Sequence, residues 1–513
     1  MPSSNYFCGD TFHNFTKKQA VRASSVIYWT MRYYDELENE SLEAIVLNGL
    51  IPTDCHIFKN FSATRVPGKE KDELVCSIKS RHVAIFRKGR VFIVHPYKNG
   101  KLANPKAIQN CVKKILDLDV ESERDYGIAA LTALGRTEWY DVRKKIPAEI
   151  ISKIESARFT LSLDTENPKS EHEEFHLGCF GGNSGNMWYD KSININVHSE
   201  GRCTFNMEHA CGEATIAGLY QLWYYKKEEY DSEGECLEFP GQDICEMEEL
   251  DVEKVSIELK DEILKGLNAI LEKKASLTCG IWPTPYGKGW IKKQRISPDG
   301  FMQVVLQLVY YKLNKTIPKM YESGSLALYY LGRTETIRSV SQKSIDFCKS
   351  PSLETLKQAC QHIVDYKKEV VLAQAADRHL FGLYVVGRYL GIKYDLFENF
   401  EEVWKMDNLS TSSTPLSFKV DIAKCPIGGG FGPQSPDGFG VSYFYSYDHT
   451  IVVAISALKD SKTDAHGFSK VLWQTMVEVR QMIEPGYVCT YGVDDLLPAF
   501  GDRLDGKSVK FDF

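Results

Sequence analysis

A histidine at position 209 sits where two residue patterns meet. Upstream, ININ at 193–196 and CTFNM at 203–207 alternate apolar and polar residues around the turn-prone SEGR at 199–202, which is how a β-hairpin reads. Downstream, Ala214 to Lys227 places Ile216, Leu219, Leu222 and Trp223 at a helical period. An imidazole on a strand exit, just before a helix, is held by rigid elements on both sides. It titrates near neutral pH, so it can take and return a proton. A packed or surface histidine is the competing reading, and the rest of the chain has to decide between them.

Four further stretches carry side chains suited to chemistry. Gly287 to Asp299, GKGWIKKQRISPD, gathers Lys288, Lys292, Lys293 and Arg295 and ends in Ser-Pro-Asp, a helix-opening signature. Cations around a backbone turn suit a phosphate-rich ligand, although a solvated basic loop has the same composition. The stretch is not a Walker A loop, because Trp282 stands where the first glycine belongs and Gly289 follows Lys288. Tyr321-Glu322-Ser323-Gly324-Ser325 and Leu331 to Arg338, LGRTETIR, supply hydroxyls and arginines that suit a carboxylate or cap helices. Asp377-Arg378-His379 interrupts an apolar helical run, as a buried ion pair or a ligand contact. Leu409-Ser410-Thr411-Ser412 is followed by GGGFGP at 428–433 and PDGFG at 436–440. Clustered hydroxyls can donate to an oxyanion, and glycines allow close backbone approach or simply make turns.

The elements that must position these residues read as a mixture of hairpins and helices, hence α/β or α+β in two halves. Residues 19–48 have helical periodicity, and 83–97 read as a hairpin about Lys88-Gly89-Arg90. A helix is expected at 104–118, further helices through 156, a strand at Phe159–Leu163, and a glycine-rich loop at 176–187. The acidic stretch from 227 to 262 marks the boundary between the halves, giving domains 1–250 and 251–513. Helices follow at 253–275, 299–314, 321–331 and 353–391, then strands at 441–445 and 451–458 and a helix at 465–482.

With 513 residues, 43% of them hydrophobic, the chain can bury large cores. A net charge of −7 without a basic block argues against nucleic-acid binding through bulk charge. The 14 cysteines are dispersed and form no CxxC pair, which fits reduced thiols in an intracellular compartment and suggests no metal site. No secretory signal opens the chain, and the most apolar runs, 301–311 and 380–392, are too short or interrupted by Arg388 to span a bilayer.

In their order and spacing, GKGWIKK–R–SPD, YES, GRTETIRS, DRH, LSTS and GGGFGP–DGFGVSY resemble the motifs of the carnitine/choline acyltransferase family, most closely its outer-membrane carnitine palmitoyltransferase branch. The resemblance runs from about Ser4 to about residue 480, and it begins partway into the family's N-terminal half, without the two membrane spans and the first catalytic segment. It implies two similar CoA-dependent acyltransferase domains of the chloramphenicol acetyltransferase-like α/β fold, mixed sheets covered by helices, with the active site in a tunnel between them. His209 is then the general base, Glu213 the acid supporting it, and Ser412 the hydroxyl facing the oxyanion. Lys288 and Lys292 hold the 3′-phosphate of CoA, with Asp299 on the CoA side. Tyr321, Thr334 and Arg378 match the carnitine carboxylate site. Acyl transfer is direct, through a tetrahedral intermediate, with CoA and carnitine as substrates and no cofactor.

Two arguments on specificity follow. Choline has no carboxylate, so the Tyr321, Thr334 and Arg378 set favours carnitine. A charge-assisted pair at Arg378 is worth about 1.5–3 kcal/mol. Short-chain members fill the acyl tunnel with a bulky residue two places before the FGP phenylalanine. Here that place is Gly429, separated from Ser412 by a long connection, and an open tunnel favours medium or long acyl groups. Met187 stands where the family usually has arginine before the tryptophan, and the preceding loop is longer than in palmitoyl members. The expectation is therefore a monomeric, palmitoyl-type carnitine O-acyltransferase, cytoplasmic or mitochondrion-associated, binding membranes at most peripherally. The alternative is a catalytically impaired, truncated paralogue or isoform that binds acyl-CoA or a partner.

Overall fold

The computed structural model of the chain describes residues 5–11, 15–43, 46–47, 51–54, 56–118, 127–182, 185–398, 408–414, 427–446, 448, 450–490 and 492–493. Fourteen of its strands form two mixed sheets. The first contains β1 (Tyr6–Cys8), β2 (Val83–Arg87), β3 (Arg90–His95), β4 (Thr160–Leu163), β5 (Ile193–Val197), β6 (Cys203–Met207) and β7 (Glu246–Leu250). The second contains β8 (Leu277–Pro283), β9 (Met320–Ser325), β10 (Thr334–Ile337), β11 (Leu409–Thr414), β13 (Phe439–Ser446) and β14 (Thr450–Leu458). The remaining strand, β12 (Gly429–Gly430), comes from the later half of the sequence but joins the first sheet. The orders are β7-β3-β2-β4-β5-β6-β1-β12 and β8-β14-β13-β11-β9-β10.

Both faces of the first sheet are buried, which accounts for its apolar strands. One face packs on α1 (Gln19–Glu38), α2 (Pro105–Asp117) and α4 (Ala214–Lys227), with Ile85, Leu161, Ile195 and Phe205 at its centre. The other joins Phe7 and Phe86 to Ile281, Phe444 and Val452 of the second sheet in one cluster that crosses between the halves. The second sheet buries its far face under α7 (Pro298–Asn314), α8 (Leu353–Val371) and α10 (Ala465–Ile483). A two-sheet α/β fold covered by helices is thus what the structure shows.

Local physics explains most of these elements. Lys88 and Gly89 both take positive φ, 45° and 73°, which closes the β2–β3 hairpin with the twist that two-residue turns need. The β5–β6 hairpin and α4 follow the sequence reading. On α4, however, the fully buried face is Ile216, Ala217, Tyr220, Tyr224 and Tyr225, while Leu219, Leu222 and Trp223 are half-buried. Most of the helix expected over 253–275 is α5 (Lys260–Ser276), which turns Ile263, Gly266 and Ile270 inward. Residues 441–445, 451–458 and 465–482 also take the forms expected of them.

Four expectations are corrected. The helix read over 19–48 ends at Glu38, where Asn39 caps it and Glu40 turns left-handed at φ 53°. The loop read over 176–187 begins only at Gly181, because α3 (Glu171–Phe180) is capped by Ser170 and runs through it. Gly178 fits that helix because a Cβ would lie 2.4 Å from the Phe7 ring, so only glycine lets α3 close on β1. Residues 321–331, read as helix, hold β9, drawn into the sheet between β10 and β11. The single helix read over 353–391 is two, α8 and α9 (Asp377–Tyr389), broken where Ala373 takes φ 54°. In addition, β7 forms from the acidic EMEEL of the boundary stretch, because its glutamates meet cations on β3 and beyond: Glu249 with Arg90 at 2.6 Å and Glu246 with Lys98 at 2.6 Å. The long connection after Ser412 lies at 415–426, outside the described residues.

Candidate active site

His209 occupies a turn immediately after β6 and ahead of α4. Its ring is 43% exposed and lies edge-on to Tyr6 of β1, with ring centres 5.2 Å apart. Glu213, one residue before α4, brings a carboxylate oxygen to 3.8 Å from His209 Nε2, an electrostatic contact too long for a hydrogen bond. The tighter organiser comes from the other half of the chain. Arg333, just before β10, donates Nε to Glu213 Oε1 at 2.7 Å, Nη1 to the Ala210 carbonyl at 3.2 Å, and Nη2 to both the His209 carbonyl at 2.5 Å and His209 Nδ1 at 3.2 Å. A guanidinium can only donate, so the last contact assigns the Nδ1 lone pair to Arg333 and, in the neutral ring, the proton to Nε2.

The strand register of the second sheet shows what Arg333 joins the histidine to. Residues opposite one another in neighbouring strands share a face, and that face alternates along each strand. Tyr321 lies opposite Ser410, Ser325 opposite Thr334, Ser323 opposite Thr336, and Ser412 opposite Ser442. Tyr321, Thr334 and Ser412, three residues singled out in the sequence, therefore project from one hydroxyl-rich face. Ser442 on that face donates to the Gly429 carbonyl of β12, so the face is turned toward the first sheet.

The opposite face carries a charge cluster of its own. Lys367 of α8 is enclosed between Asp299 and Glu322, its amine 2.7 Å from Glu322 Oε2 and bonded to Asp299 Oδ2. Asp299 Oδ1 accepts the Tyr443 hydroxyl at 2.8 Å, and Glu322 Oε1 accepts that of Ser413 at 2.8 Å. Burial, reinforced by Asp299, pushes the Glu322 carboxyl above the usual carboxylate range, and Lys367 opposes the shift. Both Asp299 oxygens are thus engaged within the protein, which suits it to fixing the start of α7.

The remaining predicted residues are more loosely placed. Lys288 and Lys292 lie on the short helix α6 (Lys288–Lys293), Lys288 half-buried and Lys292 exposed. Among the described residues, no hydrogen bond or ion pair connects either lysine to His209. Arg378 stands in the first turn of α9, and its backbone N–H donates to Glu335 Oε1 at 3.0 Å, one residue from Thr334. Gly429 pairs with Cys8, and a Cβ there would lie 2.6 Å from the Phe7 carbonyl oxygen. The close approach of β1 is sufficient reason for this glycine. Met187 is buried in the apolar cluster between the halves. No group of three or more metal-ligating side chains occurs among the described residues, and none of their helices is long and apolar enough to cross a membrane.

Sequence reasoning missed Arg333 and Lys367 as organising residues. Arg333 was visible only as one of two arginines in a hydroxyl-rich segment, because its partners lie 120 to 124 residues away. Lys367 stands in YKKEV, which reads as a solvated helix surface.

Arg333, next to the strand that carries Thr334, thus ties the His209 turn after one sheet to the hydroxyl-bearing strands of the other. The chain belongs to the choline/carnitine O-acyltransferase family, whose model matches residues 1–474, and it is an acyltransferase. It is 31% identical over 94% of its length to the muscle isoform of carnitine O-palmitoyltransferase 1 from Sus scrofa, covering 67% of that protein. It is 30% identical to the Homo sapiens liver isoform, over 93% of this chain and 66% of that protein. It is 27% identical to carnitine O-acetyltransferase from Rattus norvegicus, over 90% of this chain and 77% of that one. Among solved structures, the first condensation domain of the CDA synthetase aligns over 96% of this chain and 92% of that chain, at 8% identity and a TM-score of 0.39.

Proposed function

We propose that the chain is a carnitine O-acyltransferase that moves medium- to long-chain, palmitoyl-like acyl groups between CoA and carnitine. The observation that supports this most is the junction of His209, Glu213 and Arg333 beside the face that carries Tyr321, Thr334 and Ser412. The relatives' names add carnitine as acceptor, and two of the three are palmitoyltransferases.

In this reading His209 Nε2 removes the proton of the carnitine hydroxyl as its oxygen attacks the thioester carbonyl. Ser412 donates to the oxyanion of the tetrahedral intermediate. Collapse expels the CoA sulfur, which takes the proton back from the imidazolium, and the reverse reaction runs through the same atoms. A base at Nε2 needs the neutral ring protonated at Nδ1. Arg333 must therefore release Nδ1 while keeping the His209 carbonyl when the reactive complex forms. Tyr321, Thr334 and Arg378 receive the carnitine carboxylate. Lys288 and Lys292 receive the CoA phosphate, and Asp299 acts on the CoA side by fixing α7. Both CoA and carnitine are substrates, so no cofactor is called for. An association with mitochondria follows the mitochondrial relative from Mus musculus.

The test is CoA release from palmitoyl-, octanoyl- and acetyl-CoA in the presence of carnitine. The wild type is expected to prefer the longer chains, and His209→Ala to lose roughly 10²–10⁴ in kcat, the contribution typical of a general base. A folded wild type without carnitine-dependent release overturns the proposal, and a preference for acetyl-CoA removes the chain-length part of it.

A further inference from the structure

Glu208, the residue before the histidine, has a side chain fully closed to solvent. Its Oε2 accepts the Ala210 N–H at 2.7 Å and the Cys211 thiol at 3.7 Å, while its backbone carbonyl accepts the Cys211 N–H at 3.1 Å. The acid therefore brackets the 209–210 turn, with its side chain on Ala210 and its carbonyl on Cys211. Its Oε1 takes Nη1 of Arg65 at 3.1 Å. Arg65 continues through Nε to Asp72 Oδ2 at 2.6 Å, and the same oxygen accepts Arg136 Nε at 2.8 Å. Arg136 reaches Asp190 Oδ1 at 2.5 Å, and Asp190 Oδ2 accepts the Trp139 indole N–H at 2.7 Å. A line of alternating charges thus runs from the histidine turn to the Trp188–Lys191 segment at the head of β5.

A buried carboxylate is costly unless it is paired and hydrogen-bonded, and this one spends its bonds on the main chain of the turn next to His209. Arg333 binds the same turn through the His209 and Ala210 carbonyls, and in the proposed mechanism it is the group that must shift when the base becomes active.

We propose that Glu208 is a positioning residue for His209, with Arg65 as the partner that keeps its carboxylate aimed at the turn. It fixes the turn so that the ring stays in place while Arg333 rearranges. This rests on the reading of His209 as the base, and the test separates the two.

Wild type, Glu208→Ala, Glu208→Gln and Arg65→Met are compared in carnitine-dependent CoA release and in amide hydrogen exchange across 208–212. Glu208→Ala is expected to lower kcat about 100-fold, the scale of a 1 Å misplacement, with both KM values within about threefold of wild type. Glu208→Gln keeps an acceptor for the Ala210 N–H and is expected to recover to within about tenfold of wild type, with Arg65→Met between the two. Exchange at 208–212 is expected to accelerate in Glu208→Ala and Arg65→Met. Unchanged exchange in both overturns the positioning role whatever the turnover. So does an unchanged kcat in a folded Glu208→Ala, or a glutamine variant no better than alanine. If the Glu208 variants fail to fold, Arg65→Met, at a partly exposed site, decides by the same two readouts. A wild type that shows the protected turn but no carnitine-dependent release counts against the proposed function and leaves the positioning of the turn standing.

Discussion

The turn that carries His209 is bonded by both Glu208 and Arg333, and Tyr6 packs against the ring. The helix that carries Arg378 is tied down at its start and is otherwise mostly exposed. Asp377 meets Arg338 at 2.8 Å and the Arg378 N–H meets Glu335, after which α9 runs with Gly387 as its one buried residue. Tyr389 is 88% exposed, and Leu383, Val385 and Val386 face outward as well. Under the proposed function the difference separates two tasks. A proton-transfer group has to be held to a fraction of an ångström, so its neighbours are spent on immobilising it. A carboxylate-binding arginine on a long side chain reaches its ligand as a charge, and a more exposed helix can carry it.

If the comparison is right, disturbing α9 should change affinity and leave the chemical step alone. Arg378→Asn is expected to raise the KM for carnitine by roughly ten- to a hundredfold, the worth of a charge-assisted pair of about 1.5–3 kcal/mol, with kcat held within a few-fold. Initial rates at varied carnitine check this. A fall in kcat at saturating carnitine would place Arg378 with the histidine group and dissolve the contrast.

Gly429 tests the rigid side. Its Cβ would lie 2.6 Å from a backbone oxygen of the strand that carries Tyr6, so Gly429→Ala is expected to cost about 1–3 kcal/mol of stability in denaturant unfolding. If its stability is unchanged while long-chain substrates are rejected, this glycine serves the acyl group and not the strand contact.

A further prediction concerns pH. Lys191 is completely buried, and its amine donates to the Ser62 carbonyl, the Thr64 hydroxyl and the Glu155 carbonyl. Burial lowers it from the ordinary 10.5 to about 7. Between those values the unfolded chain holds a proton that the folded chain does not, so this group makes the fold more stable as pH rises, by up to about 1.4 kcal/mol per pH unit. Lys191→Met is expected to flatten that slope between about pH 7.5 and 9.5, read from unfolding midpoints. An unaltered slope means the amine stays charged in the fold.

Much of this was legible in the sequence where the signal is local. The β5–β6 hairpin, α4 and the position of His209 between them follow from alternation and period within one short stretch of chain. The hydroxyl motifs were found by type, and the register of β9, β10 and β11 then set Tyr321, Thr334 and Ser412 on one face. What escaped depends on partners distant in the chain. Tyr321-Glu322-Ser323-Gly324 becomes a strand because two neighbouring strands pair with it, and EMEEL does so because Arg90 and Lys98 neutralise its glutamates. The pairing of Arg333 with Glu213, and of Lys367 with Asp299 and Glu322, has no period or spacing that reveals it.

β12 has one more consequence. Gly429 and Gly430 cover the outer edge of β1 and accept it as an antiparallel neighbour. A fragment ending within the acidic stretch after α4 would leave Phe7 and Cys8 with bare N–H and C=O groups along an open, apolar strand. Such an edge invites pairing with another copy of itself. The first half made alone should therefore self-associate, and adding the second half in trans should return it to a one-to-one complex.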